Sequence, residues 1–259
     1  MYIAFLIPVG PGHQKLVQDA MTSILDASWP KGWRHDVFTF DDTAGQFGRS
    51  FGRNALAERA TREGADWLFF IDADDLLDPD AMVWVQDAIT RRPELEAIWG
   101  QITRQRAWRG GDGLVQRLEV MRSDDDVAPI SDFASLLDLP GYSTLRVGNL
   151  LVPELFDRVG GFIDRLDVGE DHEFHYATAA HAKAFEKVAA PLVWIRTWLE
   201  GASGPRGYVK GDPRLVQHRS LGERVAQYWR DRGQEPWTEH EKGLREQAGF
   251  YEWEEDLCR

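Results

Sequence analysis

Two apolar runs with nothing polar inside them constrain this chain more than any other feature. Residues 2–8 (YIAFLIP) stop at Val9-Gly10-Pro11-Gly12, and residues 67–71 (WLFFI) stop at Asp72-Ala73-Asp74-Asp75. A strand that is apolar on both faces must be covered on both faces, which is the situation of a parallel sheet between helix layers. The segments between them fit that architecture. Leu16, Val17, Ala20, Met21, Ile24 and Leu25 recur at helical spacing, 35–40 reads as a second strand, and a Gly-rich loop leads to a helix from about 53 to 63. Asp78-Pro79 reads as a helix N-cap followed by proline at the first helical position, opening a helix over 81–91. Strands alternating with helices of this length predict βαβ units, whose ligands bind beyond the carboxyl ends of the strands.

Farther along, 95–102 reads as a fourth strand, and 103–122, with Gly110, Gly111 and Gly113 between two alternating segments, as a hairpin or loop. A short helix over 131–139, a strand over 147–152, a helix over 170–180 and a last strand over 192–195 follow. From about Asp212 the pattern is that of two amphipathic helices. The simplest partition is one α/β domain over 1–200 with a helical C-terminal extension over 201–259, without internal repeats.

Composition narrows the function classes. The net charge is −13, which repels polyanions as a whole. The sign reverses locally: 104–122 carries five Arg against two acids, and 201–232 carries seven basic against three acidic groups. Such runs are usually solvated faces, but they are also candidate contacts for a phosphate-bearing ligand. The single Cys, Cys258, excludes a disulfide framework and a Cys-based zinc site and suits a reducing cytoplasm. The first apolar run is too short to span a bilayer and lacks the flanks of a signal peptide, so an integral membrane segment is not expected.

Chemistry concentrates at the end of the second apolar run. Asp72, Asp74 and Asp75 are three carboxylates within four residues, and mutual repulsion pushes their pKa values up unless a cation is near. Mg²⁺ or Mn²⁺ held by one or two carboxylates and a substrate diphosphate would satisfy them. The competing reading is an acidic turn that caps the next helix, a job Asp78 already fills in this reading. A second acidic pair, Glu170-Asp171, follows Val159-Gly160-Gly161-Phe162. Its plain explanation is that acids favour the first turn of a helix.

Taken in order, these pieces resemble the family 2 type glycosyltransferases of the GT-A fold. The resemblance runs through roughly 2–200: the first strand with its Pro8-Val9 end, Phe40-Asp41-Asp42 closing the second, Gly52-Arg53-Asn54 at a helix start, Asp72-Ala73-Asp74-Asp75, Val159-Gly160-Gly161-Phe162, and Glu170-Asp171. It implies a single Rossmann-like, mainly parallel sheet flanked by helices and a metal-dependent, inverting sugar transfer from a nucleotide-sugar, most commonly a UDP-sugar. On that resemblance Pro8, Val9, Arg53 and Asp41 or Asp42 bind the donor nucleotide, Asp72 its ribose, Asp74 ligates Mn²⁺ or Mg²⁺, and Asp171 is the general base. Glu170 and Trp198 fall on the acceptor side. The sequence departs from the family where Ile195-Arg196-Thr197-Trp198 carries Trp198 in place of a metal-completing His, and where Thr43–Phe51 lacks the usual Ser-Thr-Asp.

The resemblance points first to a glycan or lipid-linked acceptor. The alternative is a hydroxylated base in DNA, contacted by Arg104, Arg106, Trp108 and Arg109. A non-catalytic nucleotide-sugar-binding module would be expected to lack one of the acids, and all are present. No GxGxxG, Walker A or HExxH motif exists; His172 and His175 are three apart.

Overall fold

The structure, a computed structural model, describes residues 1–109, 115–122, 128–139, 145–164, 166, 169–198, 213–235 and 237–238. Of these, 102, 106, 108, 109, 115–119, 121, 122, 197, 198 and 213–221 are described by backbone alone. Its elements in chain order are β1 (Tyr2–Val9), α1 (Val17–Leu25), β2 (Arg34–Asp41), α2 (Arg49–Arg62), β3 (Trp67–Phe70), β4 (Leu76–Leu77) and α3 (Ala81–Arg91). The order continues with β5 (Ala97–Arg109), β6 (Val115–Arg122), α4 (Phe133–Leu137), β7 (Asn149–Leu151), α5 (Pro153–Val159), α6 (Glu170–His181), β8 (Phe185–Trp198) and α7 (Pro213–Arg232).

One sheet in the order β2-β1-β3-β7-β5-β8-β4, with β6 on the outer part of β5, organises the fold. β2, β1, β3, β5 and β8 share a direction, and β7 is inserted antiparallel between β3 and β5. The expected hairpin over 103–122 is formed by β5 and β6. The fully apolar strands β1 and β3 lie inside the sheet, between β2 and β7, and each face of the sheet has its own core. On one side Ala20 and Ile24 of α1 and Met82 and Val85 of α3 meet Phe5, Phe69 and Ile98. On the other, α2, α4, α5, α6 and α7 meet Leu68, Phe70, Trp99 and Leu151. The first of the two C-terminal helices is α7, whose Val225, Ala226 and Trp229 join this second core; the second falls outside the described residues.

The structure corrects several boundaries. α2 begins at Arg49, four residues before the sequence pattern suggests, because its first turn carries Gly52, where composition looks like loop. A Cβ there would stand 3.1 Å from Phe40 and 3.4 Å from Pro8, so the glycine lets α2 lie close on the ends of β1 and β2. Asp78 is not the cap of α3. The helix starts at Ala81 after Asp80, while Asp78 accepts the Trp194 indole N–H at 2.6 Å and the Asp80 N–H at 2.9 Å. The two-residue strand β4 and the helix α5 had no sequence signal strong enough to place them.

Glu96 ties the second half together. It accepts two hydrogen bonds from Arg158 at 2.8 and 3.0 Å and the Lys183 N–H at 2.8 Å, so the residue just before Val159-Gly160-Gly161 is fastened to the start of β5. Burial opposes its charge, yet Arg158 and the Lys183 N–H outweigh burial and bring its carboxyl down to about 2, from 4.5. A carboxylate with a depressed folded pKa contributes stability that is complete above its unfolded pKa and lost as pH falls through the folded one. Urea midpoints measured against pH should therefore fall between pH 4.5 and 2 in the wild type. They should fall less steeply in Glu96→Gln; parallel curves would contradict this role.

Candidate active site

The sequence motifs converge where β1 and β3 end. α2 delivers Arg53, which is 1% exposed despite its charge. Its Nη1 donates to Glu170 Oε1 at 2.9 Å and its Nη2 to Asp72 Oδ1 at 2.7 Å. Phe162 lies under the guanidinium, 5.0 Å away. Burial disfavours its charge, but Asp72 and Glu170 overcome this and raise its pKa. Glu170 is as buried as Arg53, and Arg49 Nε stands 3.5 Å from it. One guanidinium thus joins the end of β3 to the start of α6.

The neighbouring Asn54 makes a second clamp. Its Oδ1 accepts the Phe162 N–H at 2.8 Å, and its Nδ2 donates to Phe162 O at 2.8 Å and to Asp164 Oδ1 at 2.9 Å. The approach is so close that a Cβ on Gly161, whose φ is +72°, would sit 2.7 Å from Asn54 Oδ1. The Arg-Asn and Gly-Gly-Phe motifs are therefore two halves of one contact.

Asp171 is the window of α6. Eleven of the twelve residues of that helix are buried, and the exception is Asp171. Its Oδ1 accepts the His172 N–H at 2.9 Å. Since Glu170 is tied through Arg53 to Asp72, Asp171 is carried to the same place. Glu170, expected on the acceptor side, is instead enclosed and bonded to Arg53.

The acidic run after β3 divides by environment. Asp72 is partly exposed, and Asp74 lies with Oδ2 3.9 Å from Nε2 of His13, in the turn after β1. Asp75 is buried and accepts the Arg196 N–H at 3.0 Å, which fastens β8. Burial first, then the charges of Asp74 and Asp72, drive its carboxyl well above the usual range. So Asp75 has a structural task, contrary to the sequence reading that left all three acids without one. Arg196 is itself buried, with Nη1 2.9 Å from Asp19.

At the end of β2 the two acids separate. Asp42 is buried and accepts backbone N–H groups of Gln46, Phe47 and Gly48 at 2.6, 3.1 and 2.8 Å, shaping the loop into α2. Asp41 stays exposed, and its Oδ1 takes the Thr43 N–H, which lowers its pKa. Arg53 is not with them; it belongs to the Asp72–Glu170 pair. Pro8 and Val9 end β1 beside this loop. Arg104 is half-buried on β5, opposite Ile195 of β8, and the side chains of Arg106, Trp108, Arg109 and Trp198 lie outside the described part.

Sequence reasoning missed His13, Asn149 and His175. Asn149, opposite Phe70 and Trp99 at the start of β7, is fully buried with both amide atoms unpartnered among the described residues. His175 accepts the Trp99 indole N–H on Nδ1 at 3.3 Å. A small polar residue in an apolar run was the available signal for Asn149; for the two histidines only the fold supplies one.

No protein-family profile matches the chain, and no curated protein matches it in sequence. Its backbone superposes on crystal structures of S. aureus TarS. For TarS residues 1–349 the TM-score is 0.60 at 12% identity, over 95% of this chain and 69% of that one. For the same fragment with UDP-GlcNAc it is 0.59 at 10% identity, over 90% and 72%. With UDP it is 0.60 at 11%, over 95% and 70%. The chain thus has a GT-A-like fold, a mixed α/β domain with a mostly parallel central sheet flanked by helices.

Removing Arg53 while keeping Glu170 strands a buried charge, a change that costs about 3–5 kcal/mol. Urea unfolding of Arg53→Met should show a loss of that order, and the double variant Arg53→Met with Glu170→Leu should recover much of it. Additive losses would contradict a coupled pair.

Proposed function

We propose that the protein is a glycosyltransferase that moves a sugar from a UDP-sugar to an acceptor hydroxyl with inversion, the acceptor being a glycan or glycolipid head group. The observation that carries this reading is the Arg53 bridge, which assembles Asp72, Glu170 and the partly exposed Asp171 from segments about a hundred residues apart. The likeness to a fold solved with UDP-GlcNAc and with UDP supports the donor class. Family 2 membership rests on the order of the motifs.

In this reading exposed Asp41 takes the base, and Pro8 and Val9 form the wall beside it. Asp72, its Oδ1 fixed by Arg53, accepts from the ribose with its other oxygen. Among the described residues no three His, Cys, Asp or Glu side chains gather to hold a metal. The His13–Asp74 pair nevertheless suits Mn²⁺ or Mg²⁺, which take few protein ligands when substrate phosphates supply the rest. Bound there, such a metal would neutralise the charge of the departing diphosphate. Asp171 takes the acceptor hydroxyl proton as that oxygen attacks the sugar carbon from the side opposite the diphosphate. No protein acid is needed, since a diphosphate is a far better leaving group than the alkoxide released in glycoside hydrolysis.

A donor screen tests this. With Mn²⁺ and each common nucleotide-sugar, slow hydrolysis to the nucleoside diphosphate is expected for a UDP-sugar, and it should vanish with chelator and in Asp74→Ala. Asp171→Asn should retain donor affinity and lose turnover by about 10²–10⁴-fold. Undiminished turnover in chelator would overturn the metal, and undiminished turnover in Asp171→Asn would overturn the base.

A further inference from the structure

His175 is a buried, titratable side chain that the reaction as described does not use. It follows Asp171 by four residues in α6, so it lies one turn below on the same side of the helix. Helical side chains lean toward the N-terminus of their helix, here toward Asp171. The ring is inaccessible to solvent, and because Nδ1 accepts from Trp99, the proton of the neutral ring is on Nε2. That Nε2–H has no hydrogen-bond partner among the described residues. Burial pushes the ring down to about 3, so it is a neutral donor at any working pH. The charged or titratable groups acting on it are Asp171, His172, Arg53 and Asp72, and all but His172 belong to the site.

An N–H buried without an acceptor is costly, and native proteins retain few of them. We infer that His175 is a positioning residue for Asp171: its Nε2–H, unpartnered among the described residues, donates to the Asp171 carboxylate once that side chain turns into the rotamer that faces the acceptor hydroxyl, and holds it there. Trp99 holds the ring, the ring holds the carboxylate, and the carboxylate takes the proton. This rests on the reading of Asp171 as the base. The competing occupant of the Nε2–H is Asn149, opposite Trp99 in the sheet, whose amide oxygen has no partner among the described residues.

Two variants separate these. His175→Asn keeps an acceptor for the Trp99 indole but has no donor where Nε2 stood; His175→Gln restores a donor there. The proton affinity of Asp171 can be followed by ¹³C NMR of aspartate-labelled full-length protein, with Asp171→Asn to assign the signal. His175→Asn should raise that affinity about tenfold, since a carboxylate loses a hydrogen bond favouring its charged form. The acid limb of kcat for donor hydrolysis should move up with it, kcat should fall about tenfold, and donor KM should stay put. His175→Gln should return both toward the wild type. An Asp171 signal and acid limb unchanged in His175→Asn would overturn the proposal and assign the Nε2–H to Asn149. Should His175→Asn fail to fold, the ¹⁵N shift of His175 Nε2 in the wild type decides: it must track the Asp171 titration, and indifference to it overturns the proposal. Retained hydrolysis in Asp171→Asn would instead defeat the base assignment, a separate failure that leaves the NMR result standing.

Discussion

The arrangement depends on one buried cation. Arg53 is almost without solvent access, and a guanidinium in that position is tolerated only because Asp72 and Glu170 take both of its terminal nitrogens. Each partner sits on a different part of the fold, one at the end of β3 and one at the start of α6. The ion pair therefore does what a hydrophobic contact would do less selectively: it fixes which residue of α6 stands next to the strand ends. Asn54 repeats the logic one residue on, gripping Phe162 through a gap that only a glycine at 161 leaves open.

From this constraint the carboxylates acquire different jobs. Glu170 and Asp75 are buried and structural, Asp42 is spent on three loop amides, and Asp41, Asp72, Asp74 and Asp171 keep some exposure to solvent. A chain carrying 13 excess negative charges thus leaves a small subset of them open to solvent around the ends of β1, β2 and β3 and the start of α6. In α6 the open residue is Asp171, the one position of the helix that is not buried.

Much of the fold was readable from local pattern. β1 and β3 are apolar throughout because both of their faces are covered, and α1 buries Val17, Ala20 and Ile24 of the stripe that the periodicity marked, while Leu25 stays exposed. What was not readable depended on distant partners. β7 has three residues, and its antiparallel insertion is fixed only by β3 and β5. One oxygen of Asp78 takes the Asp80 N–H ahead of α3, but the other accepts from Trp194, 116 residues away, a partner that no local pattern shows. In the site, the acidic motifs were legible as motifs; the partition among them was not. Arg53 was marked by the Arg-Asn motif, but its bond to Glu170, 117 residues distant, could not be read from the sequence. His175 entered the sequence reading only as half of a zinc motif that its spacing does not fit, until α6 placed it one turn below Asp171.

The central claim is that the ends of β1, β2 and β3, with the start of α6, form a nucleotide-sugar site. Hydrogen–deuterium exchange with and without UDP and Mn²⁺ addresses it without knowledge of the acceptor. Protection confined to segments 8–13, 41–54, 72–75 and 169–172 is the expected result. Protection elsewhere, or none at saturating nucleotide, would contradict the account.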